Sequence, residues 1–209
     1  MNSQAHGVQT GDTVAECALE RLEAILDPSR LRNTLEAACR AFGDSGSPIA
    51  SCGVARVHPR SDGFVVDVIA GFENGSTRRL VAEVPADDPS SHLQNIRRRV
   101  AKQTARRGIA ERDDMPPLHV DSELGVFIRP RGYDESVDGL VTLRNFEHLF
   151  DQIPPGAAAR LDGMRSTRLL GHRLHRRAVI GISRAGDSGD GYILKLYKQH
   201  STKAQRASP

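Results

Sequence analysis

The sequence predicts an α+β fold made of antiparallel β-sheet units with flanking helices. Short runs of β-forming residues come in two groups of three, over Ile49–Val84 and over Thr167–Lys198. The strands within each group are separated by turn chemistry, above all Glu73-Asn74-Gly75-Ser76 and Asp187-Ser188-Gly189-Asp190-Gly191. Elsewhere the apolar residues recur every three or four positions, which is the period of a helix lying on a core.

Taken in order, the polar stretch Met1–Asp12 is expected to be disordered. Val14, Ala18, Leu22, Ile25 and Leu26 mark one face of a first helix. Asp27-Pro28 ends it and starts a second, with Asp27 as cap and Pro28 in the first turn. Leu31, Leu35, Ala38 and Phe42 form the second stripe, closed by the Gly/Ser-rich run at Gly43–Pro48. Strands are then predicted at Ile49–Val57, Phe64–Ile69 and Arg79–Val84, with a turn over His58–Gly63. After a basic helix, Leu118–Val120 and Leu124–Ile128 read as a pair of short strands. Leu143, Phe146, Leu149 and Phe150 read as a short helix, and Pro154-Pro155-Gly156 is the expected domain boundary. Beyond it come a strand at Thr167–Gly171 and a final hairpin over Arg177–Lys198.

Composition narrows the function classes. The 209 residues suit one large or two small domains, and with aromatics at 4% and no Trp the core must come from Leu, Val, Ile and Ala. A net charge of +3 does not by itself indicate a nucleic-acid or membrane protein. Cys17, Cys39 and Cys52 have no CxxC spacing, which suits a reduced protein rather than a disulfide or zinc framework. The N-terminus lacks the apolar segment of a secretory signal, and no stretch approaches the ~20 apolar residues that span a bilayer. A cytoplasmic protein without a membrane partner is expected.

Charge is nevertheless concentrated. Arg97, Arg98, Arg99, Lys102, Arg106 and Arg107 crowd a helix whose apolar side is Leu93, Ile96 and Val100. Such a helix contacts nucleic-acid phosphates or is simply solvated. No aromatics are interleaved to stack bases. His172, Arg173, His175, Arg176 and Arg177 form a basic turn that either holds phosphate or is solvated. HxxH without a third ligand is a poor zinc signal. The acid pairs Asp113-Asp114, Asp121/Glu123 and Asp134-Glu135 fall in loops and read as solvating charge. No GxSxG context singles out a nucleophile.

Two segments share one plan. The run from His58 to Val68 parallels the run from His172 to Ile182, each followed by a Gly-containing hairpin and a third strand. Aligned this way, Glu83 in the first copy occupies the place of Lys195 in the second.

The segment LGHRLHRRA over Leu170–Ala178, followed by VIGI and YILKLYK, resembles the N-terminal part of the aminoglycoside phosphotransferase family, within the protein-kinase-like fold. The resemblance implies duplicated kinase-like N-lobes over residues 20–198. Residues 13–153 would be a helical pair plus a first N-lobe-like domain, and 157–198 a second, incomplete β unit ahead of a polar tail at 199–209. It also implies that Lys195 touches nucleotide phosphates, assisted by Arg177, and that the ligand is ATP with Mg²⁺. After Lys198 the expected glutamate partner, catalytic loop and metal-binding aspartate are missing. His119-Val120-Asp121 reads H-x-D but precedes the lysine and lacks the metal-binding Asn. The expectation is therefore a catalytically incomplete phosphotransferase relative with weak nucleotide binding, awaiting a separate catalytic lobe or protein partner. The alternative is a nucleic-acid-binding or protein-interaction adaptor using the basic helix Arg97–Arg107.

Overall fold

A computed structural model describes residues 10–43, 47–107, 118–137, 164–184 and 191–198. The fold is α+β, with helices α1 (Thr10–Leu26), α2 (Pro28–Ala41) and α3 (Pro89–Arg107). A five-stranded antiparallel sheet has the order β1-β2-β3-β5-β4, from β1 (Ile49–Arg60), β2 (Gly63–Phe72), β3 (Thr77–Pro85), β4 (His119–Asp121) and β5 (Val126–Pro130). A three-stranded antiparallel sheet has the order β6-β7-β8, from β6 (Met164–Arg173), β7 (Arg177–Arg184) and β8 (Tyr192–Tyr197).

The chain forms two compact units, one of residues 1–95 with 117–131, the other of residues 96–116 with 132–209. The division therefore falls at Asn95/Ile96, Pro116/Pro117 and Arg131/Gly132. The expected boundary at Pro154–Gly156, the short helix Leu143–Phe150 and the tail from 199 lie outside the described residues.

In the first unit the two leading helices form where their stripes predict. Ala18, Leu22 and Ile25 are buried along α1, and Leu31, Leu35 and Ala38 along α2. Leu26, expected on the same face, is exposed instead, at the last position of the helix. Thr10–Asp12 are helical rather than disordered, because the apolar stripe that follows gives α1 a face to bury. Asp27 caps α2: its Oδ1 accepts the Ser29 and Arg30 N–H groups at 3.1 and 2.9 Å, and Pro28 starts the helix. Val66, Val68, Leu80, Ala82, Val84, Val126 and Ile128 point from the sheet into the same core as Leu22, Ile25 and Leu35. The opposite face of these strands carries Val65, Val81, Glu83, Phe127 and Arg129, all buried.

The strands run longer than expected. His58-Pro59-Arg60, predicted as turn, continues β1, and only Ser61-Asp62 remains to reverse the chain. Gly63 makes that possible: its φ is +128°, and a Cβ there would lie 2.0 Å from the Val84 carbonyl oxygen. Leu124 belongs to the β4–β5 turn rather than to β5, since Asp121 Oδ1 accepts its N–H at 3.0 Å within that turn.

Two three-stranded meanders result, and their second and third strands pair in matching register. Val65 lies opposite Glu83 in the first sheet, and Val179 lies opposite Lys195 in the second. Each first strand carries a bulge, between Val54 and Arg56 in β1 and between Leu169 and Gly171 in β6. In the second unit Ala178, Ile180 and Ile182 are buried on one face of β7.

Gly63→Ala is expected to lower stability by about 2 kcal/mol or more, through strain and overlap with β3. Asp27→Ala should cost about 1 kcal/mol, from loss of the cap. Urea unfolding followed by circular dichroism measures both. A wild-type midpoint for Gly63→Ala would contradict the tight β1–β2 reversal.

Candidate functional site: the open face of the second sheet

Alternation along β7 turns Ala178, Ile180 and Ile182 to the buried face, and so turns Arg177, Val179 and Gly181 to the other. Register carries this across the sheet. Lys195 is opposite Val179, Arg173 is opposite Arg177, and Tyr197 is opposite Arg177 from the other side. Lys195 and Arg177 are diagonal neighbours on one face, a relation that sets residues roughly 7–8 Å apart, with the β-carbons somewhat closer. Both sequence-predicted residues are thus brought together, and both are exposed.

Arg173, expected in the basic turn, joins this pair on the same face. Two arginines directly opposite each other repel, at a cost of roughly 0.2–1 kcal/mol, and neither has an acidic partner among the described residues. Beside the three cations the face is apolar. Leu170 is displaced by the bulge and lies over Gly181, where a Cβ would stand 3.3 Å from its Cδ1. Leu170 is 43% exposed and Ile193 64% exposed, with Val179 half-buried between them. Unpaired cations next to an uncovered apolar surface suit a ligand with both an anionic and a flat apolar part.

The turn from Arg173 to Arg177 is not the solvated loop its composition suggests. Leu174 is buried, and both histidines point inward onto Asp134, which is fully buried. Asp134 Oδ2 faces His172 Nε2 at 3.2 Å and accepts the His175 N–H, while Oδ1 accepts the Ser136 N–H at 2.9 Å. The Gly132 N–H donates to His172 Nδ1 at 3.2 Å, which leaves the His172 proton on Nε2, facing the carboxylate. His175 adopts the left-handed conformation, with φ 57°. Asp134 and Glu135, expected to be solvating charge, are therefore interior groups. The sequence hides this, because a buried loop carboxylate looks the same as a solvated one until its donors, some 40 residues away, are folded against it.

Burial alone would raise the Asp134 pKa, but the hydrogen bonds from His172 and His175 outweigh it and hold the carboxyl well below the usual carboxylate range. Ser136 Oγ also sits 2.8 Å from His175 Nδ1, with Asp134 Oδ1 3.3 Å from the same nitrogen. A hydrolytic triad needs the serine and the carboxylate on opposite imidazole nitrogens, so this cluster is not one.

The equivalent position in the first unit has the opposite charge and the opposite exposure. Glu83 is 4% exposed, hydrogen-bonded to His92 of α3, and 3.4 Å from Arg129 Nη2. The His92 ring stacks at a tilt on Phe127, with centroids 4.9 Å apart. This pair ties strand to helix and leaves no cation for a ligand.

The basic helix presents fewer charges than its sequence suggests. Arg97, Arg98 and Lys102 are exposed, but Arg99 lies 3.5 Å from the buried Glu135 and from Ser136 Oγ. The side chains of Arg106 and Arg107 lie outside the described set. In the H-x-D triplet, Asp121 Oδ2 accepts the Thr34 hydroxyl at 2.6 Å, so its carboxylate ties β4 to α2. Burial pushes the His119 pKa down, opposed by Asp121. Among the described residues no His/Cys/Asp/Glu group is arranged to hold a metal ion, and no helix is long and apolar enough to cross a membrane. No protein-family model, curated protein or solved structure matches the chain.

The sign of the acid response follows from Asp134. Its folded pKa lies below the ordinary 3.8, so its contribution to stability is present above about pH 4 and is lost as the pH falls towards the folded value. Wild-type unfolding midpoints should therefore drop below pH 4, and Asp134→Ala should flatten that drop. The same variant should cost about 3–5 kcal/mol at neutral pH, as expected when a buried charged network loses one member. An equal acid response in wild type and variant would contradict the network.

Proposed function

We propose that the chain is a kinase-like phosphotransferase relative of the aminoglycoside phosphotransferase type, and that the open face of β6-β7-β8 takes a nucleotide. The observation that carries this reading is the convergence of Lys195, Arg177 and Arg173 beside Leu170, Val179 and Ile193 on one face. A base packs on the apolar part and the phosphates lie along the cations. Protein kinases place their phosphate-contacting lysine on the third strand of such a meander, and a turn between the first two strands covers the phosphates. Lys195 and the turn at Leu174–Arg176 occupy those positions. The kinase lysine is paired with a glutamate on the following helix. In the first unit that pairing appears inverted, as Glu83 with His92 of α3, so this meander serves as scaffold and the second as the ligand face.

Phosphoryl transfer needs a base and metal-binding carboxylates besides the lysine. The described residues of the second sheet offer cations and apolar surface, so the function proposed for this chain is Mg·ATP binding. Transfer would draw its remaining groups from a further catalytic lobe or a protein partner.

Isothermal titration with Mg·ATP tests the proposal. The expected affinity is weak, on the order of 0.1–1 mM, and Lys195→Ala should reduce it at least ~10-fold, or about 1.4 kcal/mol. Lys195 is exposed, so its removal should leave the unfolding midpoint unchanged. Equal affinity in wild type and Lys195→Ala would sink the nucleotide reading.

A second reading rests on Arg97, Arg98 and Lys102, exposed along α3. Phosphate contact by these three would give a log–log salt slope of about −2.7 on duplex DNA, abolished in the triple alanine variant.

A further inference from the structure

We infer that Asp134 is a positioning residue for the phosphate-binding turn, holding Arg173 and Arg177 together against their mutual repulsion so that both face one anion. The inference rests on the nucleotide reading above and assigns a role to a buried group that the ligand itself does not reach.

The geometry of the turn carries the argument. Arg173 and Arg177 are the last cross-strand pair of the β6–β7 hairpin, and between them the chain turns through only three residues. Like charges at such a pair favour opening of the hairpin end. The left-handed backbone at His175 is a second unfavourable feature at the same place. Asp134 acts on both. Its Oδ2 accepts the His175 backbone N–H, which fixes the left-handed residue directly. The same oxygen faces Nε2 of His172, the residue next to Arg173. One carboxylate therefore grips the hairpin before and within its turn. The turn is also closed by the Arg176 N–H donating to the Arg173 carbonyl at 3.0 Å, and the Lys198 N–H donates to the Arg176 carbonyl at 2.9 Å.

Nothing in this arrangement is needed merely to reverse the chain. The β1–β2 reversal does so with two residues and a glycine, and neither Asp62 nor Asp67 beside it is buried. What distinguishes the β6–β7 turn is the pair of arginines that close it, where the first hairpin has Arg60 opposite Gly63. The expensive support is found where the like charges are.

Asp134→Asn in the full chain is the test. The amide keeps the shape but puts a donor where the carboxylate had only acceptors, so either the Ser136 N–H bond at one oxygen or the His172 and His175 N–H bonds at the other must break. Two readouts separate positioning from general support. Titrations with Mg·ATP and with adenosine compare a ligand that uses the arginines with one that does not. Amide hydrogen exchange compares the turn at 173–177 with strands β7 and β8. The expected result is a loss of ATP affinity of at least 10-fold with adenosine affinity unchanged, together with faster exchange confined to the turn. Unchanged ATP affinity in folded Asp134→Asn overturns the role, as does a parallel loss of both ligands with exchange rising through β7 and β8. Should Asp134→Asn fail to fold, His172→Leu removes one contact of Asp134, along with the acceptor of the Gly132 N–H, and leaves the two backbone N–H bonds to the carboxylate. It should weaken ATP binding, again with adenosine unchanged, and equal ATP binding overturns the role. Absence of ATP binding in the wild-type chain overturns the nucleotide reading itself, and the inference falls with it.

Discussion

A carboxylate taken out of water loses several kcal/mol of hydration unless the protein returns its hydrogen-bond donors. Each unit contains carboxylates that meet this condition, and much of the local architecture follows from how they do so. Asp134 gathers two backbone N–H groups and two imidazoles, and in doing so fixes the β6–β7 turn. Glu83 takes His92 and Arg129, and thereby ties α3 to the face of the first sheet opposite the helical core. Glu135 takes Arg99, which removes one cation from the basic face of α3.

The two meanders show what a single charge exchange does to a shared plan. Glu83 and Lys195 both stand opposite a valine on the middle strand. In the first sheet the face is covered, so a charged group there must be paired, and it is. In the second sheet the face is open, and the ammonium remains in solvent with two arginines for neighbours. A covered, neutralised position is a strut. An open one with no acidic partner among the described residues is where we propose that an anion binds. This contrast is what supports the proposal that the second sheet binds a ligand and the first serves as scaffold.

Much of the fold was legible in the sequence. Helical stripes at Leu22/Ile25 and Leu31/Leu35, the Asp27-Pro28 start and the Asn74-Gly75 hairpin each act over a few residues, and each forms as expected. Strand ends were less legible, because β1 extends through Pro59 and Arg60 only where Gly63 allows a two-residue reversal. In the candidate site, Lys195 and Arg177 stood out as cations on predicted strands. Arg173 was read only as one cation of the basic turn, since its place beside Arg177 on this face depends on a cross-strand register set by the bulge after Leu169. Asp134 was invisible for a related reason. Its partners His172 and His175 lie about 40 residues further along, and nothing local distinguishes it from an acid in solvent.

The most direct test of the central claim is a two-dimensional NMR titration of the isotope-labelled chain with Mg·ATP. The account predicts saturable shifts confined to Leu170–Val179 and Ile193–Tyr197, with the amides of β1–β3 unmoved. Shifts centred on α3 or on the first sheet, or no shifts up to several millimolar nucleotide, would contradict it.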